Sequence, residues 1–409
     1  MWDLIQSNRQ KSILLFIGLG AVLFFSGYVF GRYYNDEYGG PVGVMIGLSI
    51  WLVLSSISYF AGTKILLSIS GAKEVTKAIH PQLFNVVEEM KIAANLPHMP
   101  KIYIIDDPAP NAFAAGIKPE KSVIAVTAGL LGRLNRDELQ GVVAHEMAHI
   151  INRDVLLMTF AGVTIGAITI ISEVFLRSLI YGGGSRYKSK SSEKGGQIQL
   201  VIMIVALVFA ILAPIMARLL YLGISRKREY LADASAVRLS RYPEGLASAL
   251  EKISDNTIDL KKANSITAPM YIVNPLKPKG LRLSNLTNTH PPISERIKIL
   301  RAMQNGVHYL SYQSAYQFIK NSREKILPAG AALDAVPIAL KRPPVGWYAA
   351  TNEKEAKRTS GDLMMQLNNF SFIDCSCGLK IKIPPEYKYS EILCPKCRTK
   401  HSIPDPGKS

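Results

Sequence analysis

Two histidines four residues apart, with a glutamate directly after the first, stand in His145-Glu146-Met147-Ala148-His149. On a helix, residues four apart share a face. Both imidazoles can then bind one metal ion, and Glu146 can reach a water beside it. This spacing proposes zinc-dependent peptide hydrolysis. The plain alternative is a surface helix carrying two ordinary histidines. A third protein ligand must come from elsewhere, because hydrolytic zinc usually takes three and keeps a position for water. Downstream, Glu229 and Asp233 are also four apart. That pair suits one carboxylate on the metal and one accepting the outer N–H of a ligand histidine. It fits equally two solvated carboxylates beside the basic run Arg226-Lys227-Arg228.

The chemistry requires the motif to lie on a helix. Asn135 can cap one, and Glu138 completes a capping box. Leu139, Val142, Val143, Met147 and Ile150 then recur at helical spacing, and no Pro or Gly follows Gly141 until Gly162. Lys101-Ile102-Tyr103-Ile104-Ile105 and Ser122-Val123-Ile124-Ala125-Val126 read as strands, with Asp107-Pro108-Ala109-Pro110 as a turn. Residues 225–305 read as largely helical, with a loop around Pro269 to Pro278.

Of 409 residues, 48 are basic and 31 acidic, a net charge of +17, and 48% are hydrophobic. A basic excess alone suits nucleic acid or anionic lipid. The hydrophobic pattern favours lipid. Four stretches run without charge for about the 20 residues that a bilayer span needs. They are Ser12 to Gly31, Tyr38 to Thr63, Val155 to Ser172, and Gly195 to Ala217. A cleaved signal peptide is not expected, since the first run is long and a second follows closely. Arg9 and Lys11 before the first span, and Lys64, Lys73 and Lys77 after the second, place the N-terminus and the histidine motif in the cytoplasm. The loop between spans three and four carries Arg186, Lys188, Lys190 and Lys194 against Glu193 alone. That loop runs against four complete spans and leaves a shallow or incomplete hairpin as the alternative.

Residues His145 to Asp154 together with Glu229 to Asp233 resemble the HtpX-type membrane metalloproteases, relatives of the CAAX prenyl proteases. The likeness covers roughly residues 1–305. It implies Glu229 as the third zinc ligand and Asp233 as the carboxylate behind a ligand histidine. Asn111-Ala112-Phe113-Ala114-Ala115-Gly116 resembles the family's substrate edge, where an extended peptide adds a strand. His290-Pro291-Pro292-Ile293-Ser294-Glu295-Arg296 resembles its late His-Pro motif, which implies His290 and Arg296 near the reacting carbonyl. The 79 residues between His149 and Glu229 hold spans three and four, so the motif helix can continue into span three and span four can return Glu229 to the same membrane face. The implied substrates are membrane or misfolded proteins, in protein quality control at a bacterial inner membrane.

Cys375-Ser376-Cys377 and Cys394-Pro395-Lys396-Cys397 form two cysteine pairs separated by 16 residues. Paired turns of this kind read as a four-thiolate structural zinc site. Disulfides are the alternative, though a cytoplasmic module stays reduced. Lys380, Lys382, Lys388, Lys396, Arg398 and Lys400 make the module basic, which fits nucleic acid, anionic lipid or an acidic partner.

The expected architecture is a mainly α integral membrane protein with four transmembrane helices, a cytoplasmic α+β zincin-like metalloprotease domain and a small C-terminal zinc ribbon. Residues 1–68 form the first transmembrane hairpin and 155–224 the second. Residues 69–154 and 225–305 form the protease domain, 306–365 a linker or accessory segment, and 366–409 the ribbon. One catalytic and one structural Zn²⁺ are expected. Two other functions fit less well. A catalytically silent scaffold would not need Glu146. A CAAX-type processing protease would have more spans.

Overall fold

The computed structural model describes residues 2–35, 37–156, 226–262, 267–273, 291–303, 306–327, 353–387 and 389–403, with isolated positions between 158 and 215 and at 275. The third and fourth apolar stretches therefore lie largely outside the described residues, as does His290.

Helices α1 (Trp2–Tyr34) and α2 (Gly39–Phe60) form an antiparallel hairpin. Asn35 makes the turn, its Oδ1 accepting from the N–H groups of Glu37 and Tyr38 at 3.0 Å each. Gly27 and Gly31 on α1 meet Gly39 and Gly43 on α2 so closely that an added Cβ would overlap the facing carbonyl. Small residues let apolar helices approach to backbone contact where no water drives them together. Outward from the seam, Met45 is 68% and Phe60 79% exposed, a surface suited to lipid. Both helices are long and apolar enough to cross a membrane. Gly43→Leu should destabilise the hairpin by about 1–3 kcal/mol or more, because backbone cannot yield as a side-chain tip can. Thermal unfolding in detergent should show the drop, with outward-facing Met45→Leu unchanged.

Helix α3 (Gly62–Ser70) follows the hairpin. A four-stranded sheet follows, in the order β1 (Ala72–Glu74), β2 (Lys101–Ile105), β4 (Val123–Thr127), β3 (Ala112–Ala115). Strands β2 and β4 are parallel, while β1 and β3 lie antiparallel at the two edges. The last strand falls one residue later than Ser122 to Val126. Alternation divides the sheet cleanly. Ile102, Ile104, Ala112, Ala114, Ile124 and Val126 enter the main core. Ile105, Phe113, Ala115, Val123 and Ala125 face a second cluster with Leu66, Leu67, Met270 and Tyr271.

Helix α4 (Pro81–Ala93) and the short α5 (Ala128–Arg133) flank the sheet, and α6 (Arg136–Ile151) carries the histidine motif. The predicted capping box is present. Asn135 Oδ1 accepts from the Glu138 N–H at 2.8 Å, and Glu138 Oε2 from the Asn135 N–H at 2.9 Å. After its first turn α6 is buried on every side. Residues 226–240 form α7, followed by α8 (Pro243–Ser254). Gly141 admits α8, since a Cβ there would meet the Leu246 backbone at 2.6 Å.

Helix α6 does not run straight into the third apolar stretch. It ends at Ile151, and Arg153 takes a left-handed φ of 58° before helix resumes at 154–156. That kink swings Asp154 back toward the motif.

Helices α9 (Ile293–Arg301) and α10 (Tyr309–Lys320) complete the main core, to which α10 gives Tyr309, Tyr312, Ala315 and Tyr316. Helix α11 (Glu353–Leu367) adds Leu363 and Leu367 to the same core. Lys73 Nζ donates to the Leu367 carbonyl at 2.9 Å, and Asn368 Nδ2 to Asp106 Oδ2 at 2.8 Å. The last segment is two hairpins, β5 (Ser371–Asp374) with β6 (Lys380–Ile383) and β7 (Glu391–Leu393) with β8 (Lys400–Ser402).

A candidate metal centre

Helix geometry brings His145 and His149 onto one face of α6, with their Nε2 atoms 3.3 Å apart. Helix α7 supplies Glu229, whose Oε2 lies 3.7 Å from His145 Nε2 and whose Oε1 lies 3.5 Å from His149 Nε2. One donor atom from each of the three lies within 4.8 Å of the others, a set that could hold a metal ion. Glu229 thus joins the two histidines from across 80 residues of sequence.

Each histidine has its other nitrogen on a carboxylate. His145 Nδ1 is 3.0 Å from Asp233 Oδ1, and His149 Nδ1 is 3.4 Å from Asp154 Oδ2. A proton on each Nδ1 leaves each Nε2 lone pair directed at the common point, which is how carboxylates orient ligand histidines. Asp233 therefore serves His145. Asp154 does the same for His149 and was not assigned from sequence. Its signal was a carboxylate at the start of an apolar run. The kink that delivers it has no such signature.

Arg296 from α9 is fully buried and binds Asp233 through two nitrogens, Nε to Oδ2 at 2.8 Å and Nη2 to Oδ1 at 2.6 Å. Its Nη1 lies 3.2 Å from Glu229 Oε2 and donates to the Ile272 carbonyl at 3.3 Å. The guanidinium thus sits behind the ligands, although the resemblance had implied a place near the reacting carbonyl. Tyr312 Oη donates to Asp233 Oδ2 at 3.4 Å, and Arg228 Nη1 lies 3.3 Å from Asp154 Oδ1. Nothing local in sequence marks Tyr312 for this. Arg228 only looked like part of a basic run.

Glu146, Asp154, Glu229 and Asp233 are buried here with Arg228 and Arg296, so ionising all four acids leaves two negative charges uncompensated in this group. Buried charge is costly unless paired. A dication at the common point would supply the missing charge. Neither oxygen of Glu146 has a hydrogen-bond partner at ordinary distance among the described residues. Burial pushes its carboxyl up to about 7, opposed in part by His149 and by the Ala114 backbone N–H. Burial would raise Asp233 too, but Arg296 and His145 outweigh it and hold that carboxylate ionised. Burial lowers His145, whereas at His149 the carboxylates of Asp154 and Glu229 overcome burial and raise it. The donor set, its buried charge and the unpartnered Glu146 all fit a metal ion.

Of the predicted substrate edge, Ala112, Phe113 and Ala114 lie on edge strand β3. Asn111 precedes it, with its side chain turned to Val273: Nδ2 donates to the Val273 carbonyl at 2.8 Å.

A second cluster lies in the C-terminal hairpins. Cys375 and Cys377 occupy one turn, Cys394 and Cys397 the other. Sγ separations are 3.3 Å for Cys375–Cys397 and 3.6 Å for Cys377–Cys394. All four thiols are free, and the set could hold a metal ion. Left-handed Gly378 and Arg398, at φ 80° and 58°, turn each loop back. Part of the module's positive charge is paired: Lys380 and Lys382 with Asp362 of α11, and Lys400 with Glu391 inside the module.

Residues 78–304 match the sequence model of peptidase family M48. Among relatives, a "Protease HtpX homolog" from Dictyoglomus turgidum is 47% identical over 74% of this chain and 94% of its own length. Others so named, from Caldanaerobacter subterraneus subsp. tengcongensis and Streptococcus gordonii, are 42% and 38% identical, each over 74% of this chain, covering 98% and 100% of their own lengths. A crystal structure of S. mikatae Ste24p aligns with a TM-score of 0.37 at 20% identity, over 73% of this chain and 67% of that one.

Proposed function

This chain belongs to peptidase family M48 and is a membrane-associated metalloprotease, and we propose that it cleaves membrane or misfolded proteins at the cytoplasmic face of a bacterial inner membrane. The observation that carries the proposal is the meeting of His145, His149 and Glu229 at one buried point beside an unpartnered Glu146. The three residues would hold zinc. Bound there, zinc would act as a Lewis acid, activating a water and polarising the scissile carbonyl.

The remaining roles fall to side chains. Glu146 takes a proton from the attacking water and passes it to the leaving amine. Asp233 and Asp154 fix the two imidazoles, and Arg296 fixes Asp233 and Glu229. Strand β3 offers its outer edge to an extended peptide. His290, assigned through the late His-Pro motif, donates to the developing oxyanion. Four spans place the site at the bilayer, with the N-terminus and protease domain in the cytoplasm. Residues 69–154 and 225–305 are the catalytic domain, and 366–409 is a ribbon around a second, structural zinc on Cys375, Cys377, Cys394 and Cys397. What supports the second zinc is the set of four free thiols, each close to the others.

Protein purified in metal-free buffer and reloaded should carry two zinc per chain and cleave casein in a chelator-sensitive way. Cys394→Ser should lower the count to one and keep chelator-sensitive cleavage. A wild type holding only one zinc, lost on Cys394→Ser, would place the metal in the ribbon alone and remove the zinc protease reading.

A further inference from the structure

The outer edge of β3 is not free along its whole length. Backbone groups alternate along an edge strand. Asn111 turns its carbonyl to β4, accepting from the Thr127 N–H at 2.9 Å, so Ala112 and Ala114 face outward. The Ala112 carbonyl already accepts from the Ile272 N–H at 2.9 Å. Beside it, Asn111 Nδ2 donates to the Val273 carbonyl at 2.8 Å, and the Val273 N–H reaches Asn111 Oδ1 at 3.4 Å. Arg296 anchors the Ile272 carbonyl from the other side. Tyr271 is 0% exposed and meets the Phe113 ring edge-on at 5.2 Å, and Ile272 is 1% exposed. At Ala114, by contrast, no backbone group pairs on the outer side among the described residues. There the Ala114 N–H faces the Glu146 carboxyl from beyond ordinary hydrogen-bond distance.

We propose that Tyr271-Ile272-Val273 is a built-in strap that ends the substrate edge at Ala112 and makes peptide recognition one-sided. The proposal rests on the peptidase reading above. Glu146 places the scissile bond opposite Ala114. Ala112 lies two residues along, about 7 Å. A bound peptide can extend its pairing toward Gly116. In the other direction it meets the strap after about two residues and must leave the sheet edge. The strap is fixed rather than displaced by substrate. Its aromatic and aliphatic side chains lie in two different core clusters, and both of its carbonyls named above are held by side chains. Specificity is therefore read mainly on one side of the cleaved bond.

The test compares peptides lengthened separately on each side of a common cleavage point, using full-length zinc-loaded enzyme. Lengthening on one side should raise kcat/KM by about tenfold, the worth of one or two backbone hydrogen bonds. Lengthening on the other, beyond the second residue, should change it less than about twofold. Tyr271→Ala, which removes the stack on Phe113, should let the second side gain as well. Equal gains on both sides in the wild type would overturn the proposal. So would an asymmetry that persists in Tyr271→Ala once hydrogen exchange shows its Ile272 amide released. Should that variant not fold, exchange in the wild type decides: the Ile272 amide stays protected when a peptide hydroxamate binds, and loss of protection means substrate displaces the strap. Failure of the peptidase reading looks different, because then no peptide is cleaved in a Glu146-dependent way.

Discussion

Glu146→Gln should keep the metal and lose about 10²- to 10⁴-fold in kcat/KM, the range that a positioned general base supplies. The amide has nearly the size of the carboxylate and cannot accept the proton. His145, His149 and Glu229 are untouched, so bound zinc should equal that of the wild type. Activity near the wild-type level would remove Glu146 from the role of base. The same substitution has a signature in stability, read with a chelator present. Burial raises the Glu146 carboxyl from 4.5 to about 7. An acid whose pKa is raised on folding binds its proton more tightly in the folded state. Its contribution then falls as pH rises from the unfolded value through the folded one. The glutamine variant lacks this linkage. Its melting temperature should climb relative to the wild type between about pH 4.5 and pH 7 and hold level above. A difference that does not change with pH would mean that Glu146 is not buried as the structure has it.

What was legible from sequence was the part set by short-range rules. Helix α6 announced itself through Asn135, Glu138 and a 3.6-residue apolar period, and its two histidines followed from that period. Strand β2 was legible for the same reason, its apolar run being bounded by a turn at Asp107-Pro108. Glu229 and Asp233 showed only a shared helix face. Which of them would face the histidine Nε2 atoms depends on how α7 packs on α6, and local spacing is silent about packing. Asp154 was hidden because its contact depends on one left-handed residue, Arg153, where a straight helix would have carried it off the histidine face. The strap was hidden for a further reason. Its pairing to Ala112 is made by backbone atoms, which every residue carries, so no side chain in Tyr271-Ile272-Val273 advertises it. Most of helix α11 fell in the stretch read as a linker or accessory segment; Leu363 and Leu367 enter the core, and their partners are hundreds of residues upstream.

Arg296→Met is expected to weaken zinc affinity by about 10- to 100-fold, as losses behind metal ligands do. The variant should also cost about 3–5 kcal/mol of folding stability, because it strands buried Asp233 and Glu229 without their cation. Arg296→Lys should recover only part of either, since an ammonium cannot reproduce the two parallel bonds to Asp233. Two roles for the arginine can be separated by titrating zinc. If Arg296 acts through Asp233 and Glu229, saturating zinc refills the site and kcat returns most of the way. If it touches the reacting carbonyl, as the late His-Pro motif implied, occupancy recovers and kcat does not. The geometry favours the first outcome. The guanidinium is 0% exposed, and contacts with Asp233, Glu229, Ile272 and the His145 ring engage its nitrogens. A group so engaged has no N–H directed toward a substrate. Its work is to hold an aspartate that holds a histidine, and to fix the strap that ends the substrate edge. A single substitution should therefore move metal affinity, stability and the one-sided peptide preference together, while Glu146→Gln moves none of the three in that direction.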